Sequence, residues 1–215
     1  MFSDRRDAGV QLASRLEEYK GQTGLLVLAL PRGGVETGYE IAHYLKVPLD
    51  IVIVRKIGFP GQPELAIGAV SETGGVVLND SIISMYGVSK DYIEREVSQQ
   101  KKEISRRVEL YRKGRRLPSL EGKTIILVDD GVATGATVKA AIITLKEEKL
   151  KKLIVALPVA PVSMADEIEQ MADTLICIET PFDFMAVGAY YHDFTQVSDE
   201  EVIDLLKRSA KNLPA

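Results

Sequence analysis

Five short aliphatic runs, each bounded by a longer amphipathic stretch, constrain this chain more than any other feature. The runs are Leu25 to Leu30, Leu49 to Val54, Ile125 to Val128, Leu153 to Val159 and Thr174 to Ile178. None alternates polar with apolar, so each reads as a strand buried on both faces. Between them, Asp7 to Tyr19, Val35 to Leu45, Thr137 to Glu148 and Met164 to Met171 carry apolar residues at helical spacing. Strands alternating with helices predict an α/β fold, a doubly wound parallel sheet covered by helices on both sides. At 215 residues the expectation is a single domain over 1–215.

Two stretches interrupt the alternation. Arg55 to Gly75 is rich in Gly and Pro and reads as a loop or loose hairpin, the kind of segment that serves as a lid. About residues 76–121 read as a helical insertion. Within it, Ile93, Val97, Ile104, Val108 and Tyr111 form one apolar stripe on a long helix that ends before Leu117-Pro118-Ser119. Lys90 to Lys123 holds eleven Lys/Arg against six Asp/Glu, in a chain whose net charge is −4. The acidic balance makes nucleic acid an unlikely general partner, and the stripe points to packing on the domain or on a second subunit.

Some classes are excluded. The single cysteine, Cys177, rules out an internal disulfide and a four-cysteine zinc site, and it reads as a small buried hydrophobe. Two histidines, His43 and His192, argue against a histidine-rich metal centre. The charged start Asp4-Arg5-Arg6-Asp7 and the six-residue limit on aliphatic runs give no leader and no membrane span, so the expected location is cytoplasmic.

The chemistry concentrates in Ile125-Ile126-Leu127-Val128-Asp129-Asp130-Gly131-Val132-Ala133-Thr134-Gly135-Ala136-Thr137. A buried strand delivers two carboxylates to its carboxyl end, where ligands sit in open α/β sheets. Small residues then let backbone amides converge on a phosphate, with hydroxyls from Thr134 and Thr137 and a helix N-terminus behind them. Adjacent carboxylates would repel that phosphate unless they face a sugar diol, alone or with Mg²⁺. This stretch resembles the PRPP (5-phosphoribosyl-1-pyrophosphate) motif of the type I phosphoribosyltransferases. The resemblance implies that Asp129 and Asp130 hold the ribose hydroxyls and that Ala133, Thr134, Gly135, Ala136 and Thr137 hold the 5-phosphate.

Further pieces are similar to the same family. Pro31-Arg32-Gly33-Gly34, between the first strand and its helix, looks like the pyrophosphate loop, with Arg32 able to bond phosphate in a fork. Lys56, where the family carries a mobile lid, becomes a pyrophosphate contact, Arg55 points outward or into a helix layer, and Glu64 reads as a solvated loop acid. Phe182 to Phe194 gathers Phe182, Phe184, Tyr190, Tyr191 and Phe194 and resembles the C-terminal hood, placed at about 179–198, that covers a nucleobase; there Asp193 becomes a metal-site residue. The resemblance implies transfer of phosphoribose from PRPP to a small-molecule nitrogen acceptor, with release of pyrophosphate, dependence on Mg²⁺ and a homodimer. An alternative is a PRPP- or nucleotide-sensing regulator of the same fold that binds nucleic acid, which the basic insertion keeps open. A phosphatase using the acidic pair is disfavoured, because adjacent residues at a strand end point apart.

Overall fold

The computed structural model describes residues 1–211, apart from the side chains of Pro63 and Glu64. In chain order the elements are α1 (Arg5–Arg15), β1 (Leu25–Ala29), α2 (Gly34–Leu45), β2 (Leu49–Ile51), β3 (Val54–Phe59), β4 (Gln62–Ser71) and β5 (Val76–Leu78). These are followed by α3 (Asp80–Tyr86), α4 (Lys90–Arg112), β6 (Thr124–Val128), α5 (Ala136–Lys146), β7 (Lys152–Val159), α6 (Val162–Met171), β8 (Thr174–Glu179) and α7 (Asp199–Lys211).

The expected doubly wound sheet is present. Five parallel strands lie in the order β2-β1-β6-β7-β8. Every residue of β1 and β6 is buried, which is why both read as unbroken aliphatic runs. Leu25, Val27, Ile126, Val128 and Ile154 face the α1/α2 layer. Leu26, Leu28, Ile125, Leu127 and Val155 face α5 and α6. From β1 the chain turns to β2 on one side, and from β6 to β7 on the other. The order therefore reverses between β1 and β6, and their carboxyl ends open the crevice where such sheets bind ligands.

One expectation needs correction and another is resolved. The run Leu49 to Val54 is not one strand: β2 stops at Ile51, and Val54 begins β3 in a second sheet. Of the two readings of Arg55 to Gly75, loop or hairpin, the structure shows the hairpin, β3 paired antiparallel with β4. It forms most of a three-stranded antiparallel sheet, β3-β4-β5. The glycines misled because Gly68 serves a close approach within that sheet: a side chain there would meet the carbonyl of Val77 at 2.5 Å. The expected role of Glu64 lies outside the described residues.

The long helix of the insertion is α4, stopped at Arg112 by Lys113 in the left-handed region. Its stripe packs inward. Ile104 and Tyr111 are buried, and Val97 and Val108 pack with Ile57, Ile67 and the α7 residues Val202 and Leu205. Its end is pinned by Arg112, which is ion-paired to Glu72 and lies 3.8 Å from Asp50, all three side chains being at most 5% exposed. No described helix is long and apolar enough to cross a membrane.

Candidate functional site

Two turns meet at the reversal point. The first, Pro31 to Gly34, leads from β1 into α2, and its Pro31–Arg32 peptide bond is cis. The second, Asp129 to Gly135, leads from β6 into α5. They touch so closely that only glycine fits: a Cβ on Gly33 would overlap the Asp130 carboxylate, and one on Gly34 would lie 2.8 Å from the carbonyl of Val128. The pairing of Gly33-Gly34 with Asp129-Asp130 is therefore a packing requirement as well as a sequence coincidence.

In the second turn, Gly135 stands at φ +70° as the residue before α5, a left-handed conformation that glycine adopts without steric cost. Ala133, Thr134 and Thr137 are exposed, while Gly135 is buried against Met164. The first amides of α5 have no partner within the helix, so they and the turn present donors and partial positive charge outward. Ala133, Thr134 and Gly135 thus lie in the turn, and Ala136 and Thr137 open α5 directly behind it.

The acidic pair is held asymmetrically. Asp129 Oδ1 accepts a hydrogen bond from the Asp130 amide at 2.9 Å. Shielding from solvent and the neighbouring Asp130 charge push the Asp129 carboxyl well above the usual carboxylate range. Asp130 Oδ2 instead accepts from Arg5 Nε at 2.7 Å. Arg5 also donates from Nη1 to the carbonyl of Thr195 at 2.7 Å, and its guanidinium lies 3.9 Å from the Phe194 ring centre. The Tyr191 hydroxyl donates to the Asp130 carbonyl at 2.5 Å. One carboxylate is thus paired with an arginine, and the other is pushed toward its protonated form.

Arg5 was not legible as a site residue. It sits in the first turn of α1, placed by a reciprocal cap in which Asp4 accepts from the Asp7 amide and Asp7 from the Ser3 amide, both at 2.8 Å. Its partner Asp130 lies 125 positions away in the chain.

Around residues 182–194 the aromatics do not form one open platform. Tyr191 packs on Phe2 and Phe194, with ring centres 5.3 and 4.9 Å apart, as a small core tied to the N-terminus. Phe184 stacks on Tyr190, and Phe182 stands 91% exposed. Asp193 Oδ1 accepts from the amide and hydroxyl of Thr195 at 2.9 and 2.6 Å, which lowers its pKa. It lines a cavity with Arg5, Arg6 and Glu36. Among the described residues no three His, Cys, Asp or Glu side chains converge as a metal site.

A smaller cavity, about 200 Å³, lies beside the first turn and is lined by Pro31, Arg55, Lys56, Arg107 and Thr137. Lys56 shares this lining with Pro31 and Thr137. Arg55 donates to Gln100 Oε1 at 3.0 Å, so it points into the helix layer. Arg32 lies 3.8 Å from Asp199 and remains half-exposed. His43 is an exposed helix residue stacked on Tyr39, and burial pushes the Cys177 thiol up to about 11, which makes it a poor nucleophile.

A family model described as "Phosphoribosyl transferase domain" matches residues 6–195. Two curated proteins from Mycobacterium tuberculosis strains, each named provisionally as a phosphoribosyl transferase, are 43% identical over 99% of this chain. The chain spans 48% of their length. The crystal structure of TT1426 from Thermus thermophilus is similar at a TM-score of 0.88 and 41% identity, covering 97% of this chain and 98% of that one.

Proposed function

The chain belongs to the phosphoribosyltransferase family, and on that premise we propose that it transfers 5-phosphoribose from PRPP to the nitrogen of a small heterocyclic acceptor such as a nucleobase. One observation carries the reading: the phosphate-shaped turn, the acidic pair and the diglycine turn close on one another at the strand-order reversal. A sugar phosphate with a second anionic group matches those three features in charge and spacing.

In this reading the amides of Ala133 to Thr137 and the hydroxyls of Thr134 and Thr137 hold the 5-phosphate. Asp129 and Asp130 grip the vicinal ribose hydroxyls. The Asp130 carboxylate also steadies the positive charge that develops on the ribose as its C1–O bond lengthens. The acceptor nitrogen attacks C1 with its lone pair, and the C1–O bond breaks with inversion. The bonding electrons leave with pyrophosphate, and the acceptor's N–H proton passes to solvent. Arg32, the amides of Gly33 and Gly34, and Lys56 hold the leaving group. The protein's contribution is position and charge rather than a covalent intermediate.

Mg²⁺ fits this donor set as a cation carried by the substrate. Asp130 already spends one oxygen on Arg5, and no described carboxylate trio is at hand, so most of its ligands would be pyrophosphate oxygens, ribose oxygens and water. Bound there, it would supply neutralisation of the leaving pyrophosphate. Asp193, engaged by Thr195, would meet such an ion only through a ligand or water.

The test is a panel of purine and pyrimidine bases and other nitrogen heterocycles, each incubated with PRPP and Mg²⁺ and scored by pyrophosphate release. Release dependent on one acceptor class supports the proposal. Absence of release across the panel, with salt-sensitive nucleic-acid binding that PRPP modulates, supports the regulator reading instead.

A further inference from the structure

We propose that the inserted helix α4 is part of the anion-binding machinery, and that Arg107, paired across the small cavity with Arg55, is a diphosphate-binding residue of this protein. The inference rests on the transferase reading for its biological meaning, but its physical basis is separate. Arg107 and Arg55 line the same cavity of about 200 Å³ as Pro31 of the first turn and Thr137 at the start of α5. That places two guanidiniums between the turns that frame the site.

The local charge is unbalanced. Arg55 bonds the neutral Gln100, and its pKa is lowered by burial first and by the Arg107 charge second. Arg107 Nε bonds Glu103 Oε1 at 2.8 Å, but Glu103 is shared with Arg106, which takes both its oxygens at 2.8 and 2.9 Å. Those bonds hold the Glu103 carboxyl down at about 2, so it is a fixed anion. Two arginines therefore share one carboxylate, Arg55 bonds a neutral amide, and Arg55 and Arg107 line the same cavity. Holding like charges together in a half-buried cavity costs stability, and a bound oxyanion recovers that cost. Guanidinium forks match the spacing of phosphate oxygens, and a cavity of this size accommodates a compact diphosphate rather than a nucleoside.

The helix geometry supports the assignment. Glu103 and Arg107 are one turn apart, so the carboxylate braces the guanidinium from the same face. The apolar stripe of α4 is anchored on β3, β4 and α7, which fixes the helix relative to the cavity. An insertion that reads from sequence as a basic surface thus delivers one arginine inward.

The experiment is titration calorimetry with two probes, inorganic pyrophosphate and ribose 5-phosphate, on wild type, Arg107→Gln and Arg106→Gln. The Arg107 side chain is 27% exposed, so its variant is expected to fold. Losing one charge-assisted bond should weaken pyrophosphate binding by about 10–100-fold in Arg107→Gln, with ribose 5-phosphate unchanged. Arg106→Gln, which removes the same charge from outside the cavity, should leave both unchanged. Pyrophosphate affinity that is unaltered in Arg107→Gln, or lowered equally in Arg106→Gln, overturns the inference. If ribose 5-phosphate fails to bind wild type while the pyrophosphate pattern holds, the transferase reading fails and the Arg107 assignment stands.

Discussion

The crevice edge and the shell around it are built by opposite means. At the edge, the two turns that frame the site are short, contiguous and shaped by backbone: a strand ends, small residues turn, a helix begins. In the shell, formed by the second sheet, α4, the N-terminus and residues 179–198, the links that tie it together join residues far apart in sequence. Arg112 reaches Glu72, Arg5 reaches Asp130, and Tyr191 reaches the Asp130 carbonyl. On the proposed reading, the edge meets the phosphoribose ligand. The shell decides how rigidly the edge is held and which groups complete it. Variants that separate stability from ligand affinity are therefore the way to test whether the division is real.

The largest effect is expected in the shell. Arg112→Met leaves Glu72 buried without this counter-charge and Asp50 with Arg115 at 3.4 Å, which should cost about 3–5 kcal/mol of folding stability by denaturant titration. The folded fraction should still bind ribose 5-phosphate within about twofold of wild type. A matching collapse of affinity would show that shell and edge are one unit. At the edge, Gly135→Val forces a branched side chain into a left-handed position and onto Met164. Ribose 5-phosphate affinity should fall by more than about 100-fold, roughly 2.7 kcal/mol. Normal binding would remove this turn from the phosphate site.

Smaller effects come from the bridge between the two regions. Tyr191→Phe deletes the hydroxyl that bonds the Asp130 carbonyl and should cost about 1 kcal/mol of stability. Asp129→Asn should act in the other direction. A carboxyl whose pKa is raised on folding binds its proton more readily folded than unfolded, so it destabilises the fold as pH rises above the ordinary aspartate value of about 4. The asparagine variant should melt at a higher temperature than wild type at about pH 8, and the gap should close near pH 3. It should also bind ribose 5-phosphate more weakly. A lower melting temperature under the alkaline condition would mean that Asp129 is stabilised as an anion, contrary to the environment described.

The same contrast explains what the sequence could reveal. Asp129-Asp130 and the turn to Thr137 were readable because strand, acids, small residues and helix follow one another without interruption. The five-stranded sheet was readable because fully buried strands leave unbroken aliphatic runs. Arg5 and Tyr191 were not, because nothing near Arg5 in the chain marks a carboxylate 125 positions away. Arg107 looked like one charge among many on a basic helix, and only the inward stripe of α4 and the shared Glu103 distinguish it. The second sheet was hidden by glycines that signal a loop in composition but serve a close strand contact at Gly68.

The central claim is that the turn after β6 receives a sugar phosphate. A crystal of the protein grown with ribose 5-phosphate tests it most directly. The account predicts phosphate oxygens against the amides of residues 133–137 and the sugar's vicinal hydroxyls against Asp129 and Asp130. Clear density for the ligand at another place, with that turn vacant, would contradict it.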